Sequence, residues 1–173
     1  FGINITVLVD GQPRVLNIKE VLEEFIKHRH DVVIKRTKFD LRKAKEKGNV
    51  VKGHMVAIAN IDAIITIIKK SKDTKIAAVE LCKKTWKAGP IEAILKKAGT
   101  DACRPKGLSK EYGIQGKNYK LSPEQAKSIL ELRLGRLTGL EQDNLSAEFN
   151  EILAVILELQ KILDDKDTLL TLI

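Results

Sequence analysis

The chain has 173 residues with 31 Lys or Arg against 23 Asp or Glu, a net +8, enough for one ordinary domain or an extended arm with a compact tip. Apolar residues make up 43% but aromatics only 4%, so burial falls to Leu, Ile, Val and Ala, which suits helix packing better than a sheet-rich core. The basic balance fits a polyanion partner. Two cysteines are too few for a disulfide framework or a metal site, and no apolar run reaches the ~18 residues that span a bilayer. Free, reduced Cys82 and Cys103, no membrane association and a cytoplasmic setting are therefore expected.

Residues 3–9 are β-branched and partly alternating, Asp10-Gly11 is a hairpin turn, and Arg14–Leu16 return beside the first strand. Asn17 and Glu20 form a capping box that opens a basic helix, with a stripe at Ile18, Leu22, Phe25 and Val32. Uninterrupted to Lys47, it is ~30 residues, or about 45 Å. Gly48 is expected to bend it, because no single heptad frame joins the first half to the second pattern at Val51, Met55, Ile58, Ile61, Ile65 and Ile68. Asp73 is a candidate cap for a short helix over 74–84 on an Ile76/Ala78/Val79/Cys82 face. Pro90 starts another helix with Ile91, Ile94 and Leu95, which stops at Gly99. Residues 100–121 read as loop, with Tyr112 and Tyr119 facing each other across a turn at Gly116. Ser122-Pro123-Glu124-Gln125 is the strongest start signal, and its helix carries Ala126, Ile129, Leu130, Leu132, Leu134 and Leu137.

Thr138 as N-cap and Glu141 at N3 form a second capping box, after which apolar residues recur at Leu145, Phe149, Ile152, Ile156, Leu159 and Leu163 in alternating steps of four and three. This second long helix carries seven acids against Lys161 over 141–165, whereas 27–52 carries ten Lys or Arg against three acids. An antiparallel pair would bury both seams, Leu22, Phe25 and Val32 against Phe149, Ile152, Ile156 and Leu159, and match flanks of opposite sign. The expected fold is mainly α: an antiparallel coiled-coil arm with a small helical globular tip and a short N-terminal β-hairpin. Its parts are a hairpin over 1–16, a first arm helix over 17–48, the tip over 49–138, a returning arm helix over 139–165, and the start of another helix over 166–173. With no initial Met and an end inside a helical pattern, the chain reads as a piece of something longer.

The run His28-Arg29, Val32-Val33, Arg36-Thr37, Phe39 and Leu41-Arg42-Lys43-Ala44 resembles the start of the coiled-coil arm in bacterial DNA gyrase A subunits. Asn60-Ile61-Asp62 with Ile64-Ile65 looks like the element that follows. Gln125-Ala126, Ile129-Leu130, Leu132-Arg133-Leu134 and Leu137-Thr138-Gly139-Leu140-Glu141 are similar to the dimer-gate signature of that family. The likeness covers essentially the whole chain, loosely over 71–120, and departs at Lys47-Gly48-Asn49-Val50, where the family shows a more helix-forming run. Topoisomerase IV subunits share the plan, but the wording is closer to gyrase A.

The resemblance implies the exit gate (C-gate) of a type IIA topoisomerase, an ATP-dependent enzyme whose tips meet to close a DNA-transport cavity and open to release the passed duplex during supercoiling. It implies a homodimer through the tip, a gyrase B partner in an A2B2 enzyme, double-stranded DNA as substrate, and ATP and Mg used through the partner subunit. This stretch itself is expected to hold no cofactor and no catalytic residue, since the family places its catalytic tyrosine upstream. The expected dimer interface is Ile61, Ile64, Ile65, Ile129, Leu130, Leu132, Arg133, Leu134, Arg136, Leu137, Thr138 and Leu140.

Lys35, Arg36, Lys38, Arg42, Lys43, Lys45 and Lys47 are candidates to line a DNA cavity; a solvated flank paired with the acidic helix is the plainer reading. His28 and His30 lie on different helix faces without ligand partners, and Trp86 reads as tip core. The competing function is a stand-alone basic coiled-coil module that dimerises and binds nucleic acid non-specifically.

Overall fold

The computed structural model describes residues 5–99, 101–132, 139–165 and 169. It is mainly helical and divides into two compact units, Phe1–Leu41 with Glu158–Ile173, and Arg42–Leu157. In the first unit, strands β1 (Ile5–Val9) and β2 (Gln12–Leu16) pair antiparallel in the register Val9↔Gln12. Asp10 and Gly11 both take positive φ, 51° and 79°, the geometry that suits a two-residue hairpin loop.

Helix α1 (Ile18–Ala59) starts at the expected box: the Asn17 N–H donates to Glu20 Oε2 at 2.8 Å, and the Glu20 N–H donates to Asn17 Oδ1 at 2.9 Å. The helix does not bend at Gly48 but continues to Ala59. Its covered stripe is also not the expected one. Leu22 and Val32 are exposed, and Phe25 is 58% exposed. The covered positions step through Ile34, Thr37, Leu41, Ala44, Gly48, Val51, Met55 and Ile58, an unbroken three-four alternation. This frame does join the two halves. It is hard to see in the sequence because Thr37, Ala44 and Gly48 occupy seam positions.

The second unit is built around the end of α1, where all eight residues from Val51 to Ile58 are buried. Asn60 ends the helix, its side-chain amide donating to the Val56 carbonyl at 2.8 Å and the Lys87 carbonyl at 2.9 Å. The chain turns by 91° into α2 (Ile61–Lys70). Helix α3 (Thr74–Lys83) follows from Asp73 and buries Ala77 and Leu81, so Ile76 and Val79, expected on its inner face, are exposed instead. Helix α4 (Ile91–Ala98) runs from Pro90 to Gly99, as the punctuation predicts, and buries Ile91 and Leu95.

The stretch read as loop supplies β4 (Gly113–Gln115) and β5 (Asn118–Lys120), which join the earlier β3 (Thr85–Lys87) in a small sheet ordered β3-β5-β4. Tyr119 pairs with Trp86 and Ile114 rather than with Tyr112, and buries fully. Each strand has three residues, too short for an alternating pattern to register. Helix α5 (Pro123–Leu130) opens with a complete Ser122/Gln125 capping box but ends at Leu130, earlier than the leucine pattern predicts.

In α6 (Gly139–Asp164), Leu145, Phe149, Ile152 and Ile156 are buried as the heptad predicts, and Leu159 is half-buried. Thr138 and the Glu141 side chain lie outside the described residues. Within the second unit α6 runs antiparallel to the end of α1: Gly48 lies against Ile152, while Met55 and Leu145 line one crevice.

Gly48 serves close packing. A Cβ there would sit 2.9 Å from Cys103 Sγ and 3.2 Å from Ile152 Cγ2. Alanine is ~1 kcal/mol better than glycine inside a helix, but overpacking costs about 1–3 kcal/mol. Gly48→Ala is expected to lose about 1 kcal/mol net in urea unfolding. The same change in a Cys103→Ala background is expected to be close to neutral.

Candidate functional site

The second unit is organised at the buried side chain of Gln125, the N3 residue of α5. Its Oε1 accepts the Ser122 N–H at 3.0 Å, and its own N–H donates to Ser122 Oγ at 3.3 Å. The side-chain amide donates to the Asn49 carbonyl at 2.7 Å, Asn49 Oδ1 at 3.1 Å and the Tyr119 hydroxyl at 2.8 Å. One glutamine therefore caps its own helix and ties it to α1 and β5. Gly53, one turn on from Asn49, makes room: a Cβ there would stand 2.9 Å from both Cβ and Cγ of Gln125. The sequence shows Gln125 as a cap, but nothing local marks its long-range bonds. Burial pushes the Tyr119 phenol far above its usual range, only partly offset by the bond from Gln125. His54 Nε2 lies 2.7 Å from Ser128 Oγ, a second polar link between α1 and α5.

Of the expected interface residues, Ile64 at 1% and Ile129 at 5% exposure belong to the core of the single chain. Their place is explained by the helix packing of α3, which lies against both α2 and α5. Ile61, Ile65, Leu130 and Leu132 are half-buried and border the surface. Arg133, Leu134, Arg136, Leu137 and Thr138 lie outside the described residues, as does the side chain of Leu140.

The basic flank is mostly exposed: Lys35, Arg36, Lys38, Arg42, Lys43 and Lys47 face solvent, and Lys45 is half-buried. Arg36 pairs with Asp40 at 3.7 Å and Lys43 with Glu46 at 3.2 Å along their own helix. Lys47 reaches across to Glu148 of α6 at 2.9 Å, the expected opposite-charge match within the second unit. Such exposed pairs contribute about 0–1 kcal/mol each, so the helix pair depends on its seam more than on its charges.

Cys82 and Cys103 are unbridged, Cys103 buried and Cys82 half-buried, and burial raises both thiols above their ordinary range. Trp86 is core, its indole N–H donating to the Leu81 carbonyl at 2.9 Å. Among the described residues no group of three or more His, Cys, Asp or Glu is placed to hold a metal ion. Nor is any single described helix long and apolar enough to cross a membrane.

Within the second unit an antiparallel helix pair thus brackets an insertion of helices and a small sheet, with half-buried Ile61 and Ile65 on α2 and Leu130 at the end of α5. All 173 residues match the family of DNA gyrase and topoisomerase IV A subunits, and the chain belongs to that family. The DNA gyrase A protein of Pseudomonas aeruginosa is 49% identical over 173 residues, 100% of this chain and 19% of that protein. Its Haemophilus influenzae counterpart is 42% identical over 173 residues, 100% of this chain and 19% of its own length. For the gyrase A protein of Escherichia coli K12 the figure is 42% over 149 residues, 86% of this chain and 17% of that protein. The chain thus spans about a fifth of the length of these relatives.

Replacing Gln125 by Ala strands the buried Asn49 carbonyl and removes a cap. The expected loss is about 2–4 kcal/mol in urea unfolding. The exposed Lys127→Ala on the same helix is expected to change stability little.

Proposed function

We propose that this chain is the exit gate (C-gate) of a type IIA DNA topoisomerase, a dimerisation element that closes the DNA-transport cavity and opens to release the passed duplex. Membership of the gyrase A family supports the reading. The observation that carries it is the end of α5. A short capped helix delivers half-buried Leu130 and Leu132 to the border of the surface, directly before Leu134 and Leu137 in the chain. Half-buried Ile61 and Ile65 on α2 extend the apolar supply. A two-fold contact uses the same patch on both copies. An interface of a few leucines and isoleucines gains about 1.5–3 kcal/mol for each fully buried side chain, enough to hold two copies together yet modest enough to separate.

In the whole enzyme this element works beside a B-type partner protein that brings ATP and Mg, in an A2B2 assembly acting on double-stranded DNA. Ile64 and Ile129 support the interface from beneath, as core. The exposed lysines and arginines of α1 keep the phosphate backbone of a departing duplex attracted without sequence preference.

In analytical ultracentrifugation at micromolar concentration the chain is expected to sediment as a dimer, and Leu134→Asp as a monomer with unchanged helical content by circular dichroism. An unchanged dimer removes the α5–α6 connection from the interface. A wild-type monomer that binds duplex DNA with a steep salt dependence supports the stand-alone nucleic-acid module instead.

A further inference from the structure

Beside the Gln125 cluster lies a cavity of about 500 Å³ lined by Lys52, Glu92, Lys96, Asp101, Arg104 and the 108–116 loop. At its wall is Lys52, one of the buried residues of α1, only 4% exposed. Among the described residues the Lys52 ammonium has no carboxylate at ion-pair distance; it lies over the Tyr119 ring, 5.8 Å from Nζ to the centroid. A buried ammonium without an anion is costly, and a cation–π contact offsets only part of that cost.

The acids lining the cavity are already used. Glu92 holds Lys96 at 2.7 Å, and Asp101 holds Arg104 at 3.1 Å. Arg104 is clamped further by the carbonyls of Ser109 at 2.7 Å and Tyr112 at 3.3 Å. Its guanidinium passes Gly113, where a Cβ would stand 4.0 Å from Nη1. Lys110 stands on the same wall without an ion-pair partner among the described residues. Two paired and two unpaired cations thus converge on a space large enough for a small molecule. Burial lowers the Lys52 pKa; among its neighbours Cys103 and Asp101 act against that shift, and Arg104 adds to it.

We propose that this cavity binds a compact polyvalent oxyanion, of phosphate or carboxylate class, with Lys52 as its buried anchor and Lys96, Arg104 and Lys110 as its polar surround. The flexible lysine stem lets the Lys52 ammonium reach the cavity from a helix that is otherwise core. At this depth Lys52 is out of reach of the backbone of a duplex, so the ligand is a free small anion. A bound anion would join α1 to the 101–116 segment and stiffen the second unit.

The test is isothermal titration calorimetry of the chain with pyrophosphate and, separately, with citrate, each against sodium chloride at matched ionic strength. Saturable one-to-one binding is expected, weakened about tenfold or more by Lys52→Met and less by Lys110→Ala, and unchanged by the exposed Lys35→Ala. Equal binding of both probes with the same Lys52 dependence assigns the site to oxyanions generally, and binding of one alone assigns its class. Absence of saturable binding beyond the chloride control overturns the proposal. So does an unchanged affinity in a folded Lys52→Met chain, which would leave Lys52 serving only the Tyr119 ring. If Lys52→Met fails to fold, undiminished binding in both Lys110→Ala and Lys96→Ala has the same force.

Discussion

Two glycines of α1 let other parts of the chain come closer to the helix than any side chain would allow. At Gly48 the Cys103 side chain and Ile152 of α6 press against the backbone, and at Gly53 the stem of Gln125 does so. Both contacts fall in the stretch where α1 changes from a helix with one covered stripe to a helix buried on every side. Glycine weakens a helix interior by about 1 kcal/mol, and here that cost is offset by packing at close to van der Waals contact. The seam, the Gln125 cluster and the wall of the Lys52 cavity all follow from that approach.

Gln125 then converts proximity into specificity. A buried amide with three acceptors near it and one donor bonded back to it tolerates only one arrangement of α1, α5 and β5. Apolar packing by itself would let α5 slide along α1 at modest cost. In the proposed gate, this polar cluster is what holds the end of α5 in place before it meets a second copy.

Charge has a secondary part. The basic and acidic helices are complementary in sign, and Lys47 with Glu148 realises that match. Other cations pair along their own helix or face water. Exposed pairs are screened by salt within about a Debye length, so the complementarity orients the helices more than it binds them. The proposed attraction of a departing duplex rests on the same exposure.

Several elements were legible because their bonds are local. The Asn17/Glu20 and Ser122/Gln125 boxes, the Asp10-Gly11 turn, the Pro90 start and the Gly99 stop each depend on residues within three or four positions, and each formed as read. The returning helix was legible too, because its seam is carried by large apolar residues that keep period. The α1 seam misled because Thr37, Ala44 and Gly48 carry it, while Leu22 and Phe25, apolar and well spaced, face outward. The three-stranded sheet was invisible because strands of three residues have no period to show.

The sequence by itself determined where helices begin and turns fall, since a cap or a tight turn is settled by neighbours along the chain. Only the tertiary structure decided that Gly48 joins two halves of one helix instead of parting them, that Ile64 and Ile129 fill the core, and that Lys52 opens onto a cavity. Each of those depends on what approaches from tens of residues away, and a glycine or a lysine looks the same in sequence whether or not something does.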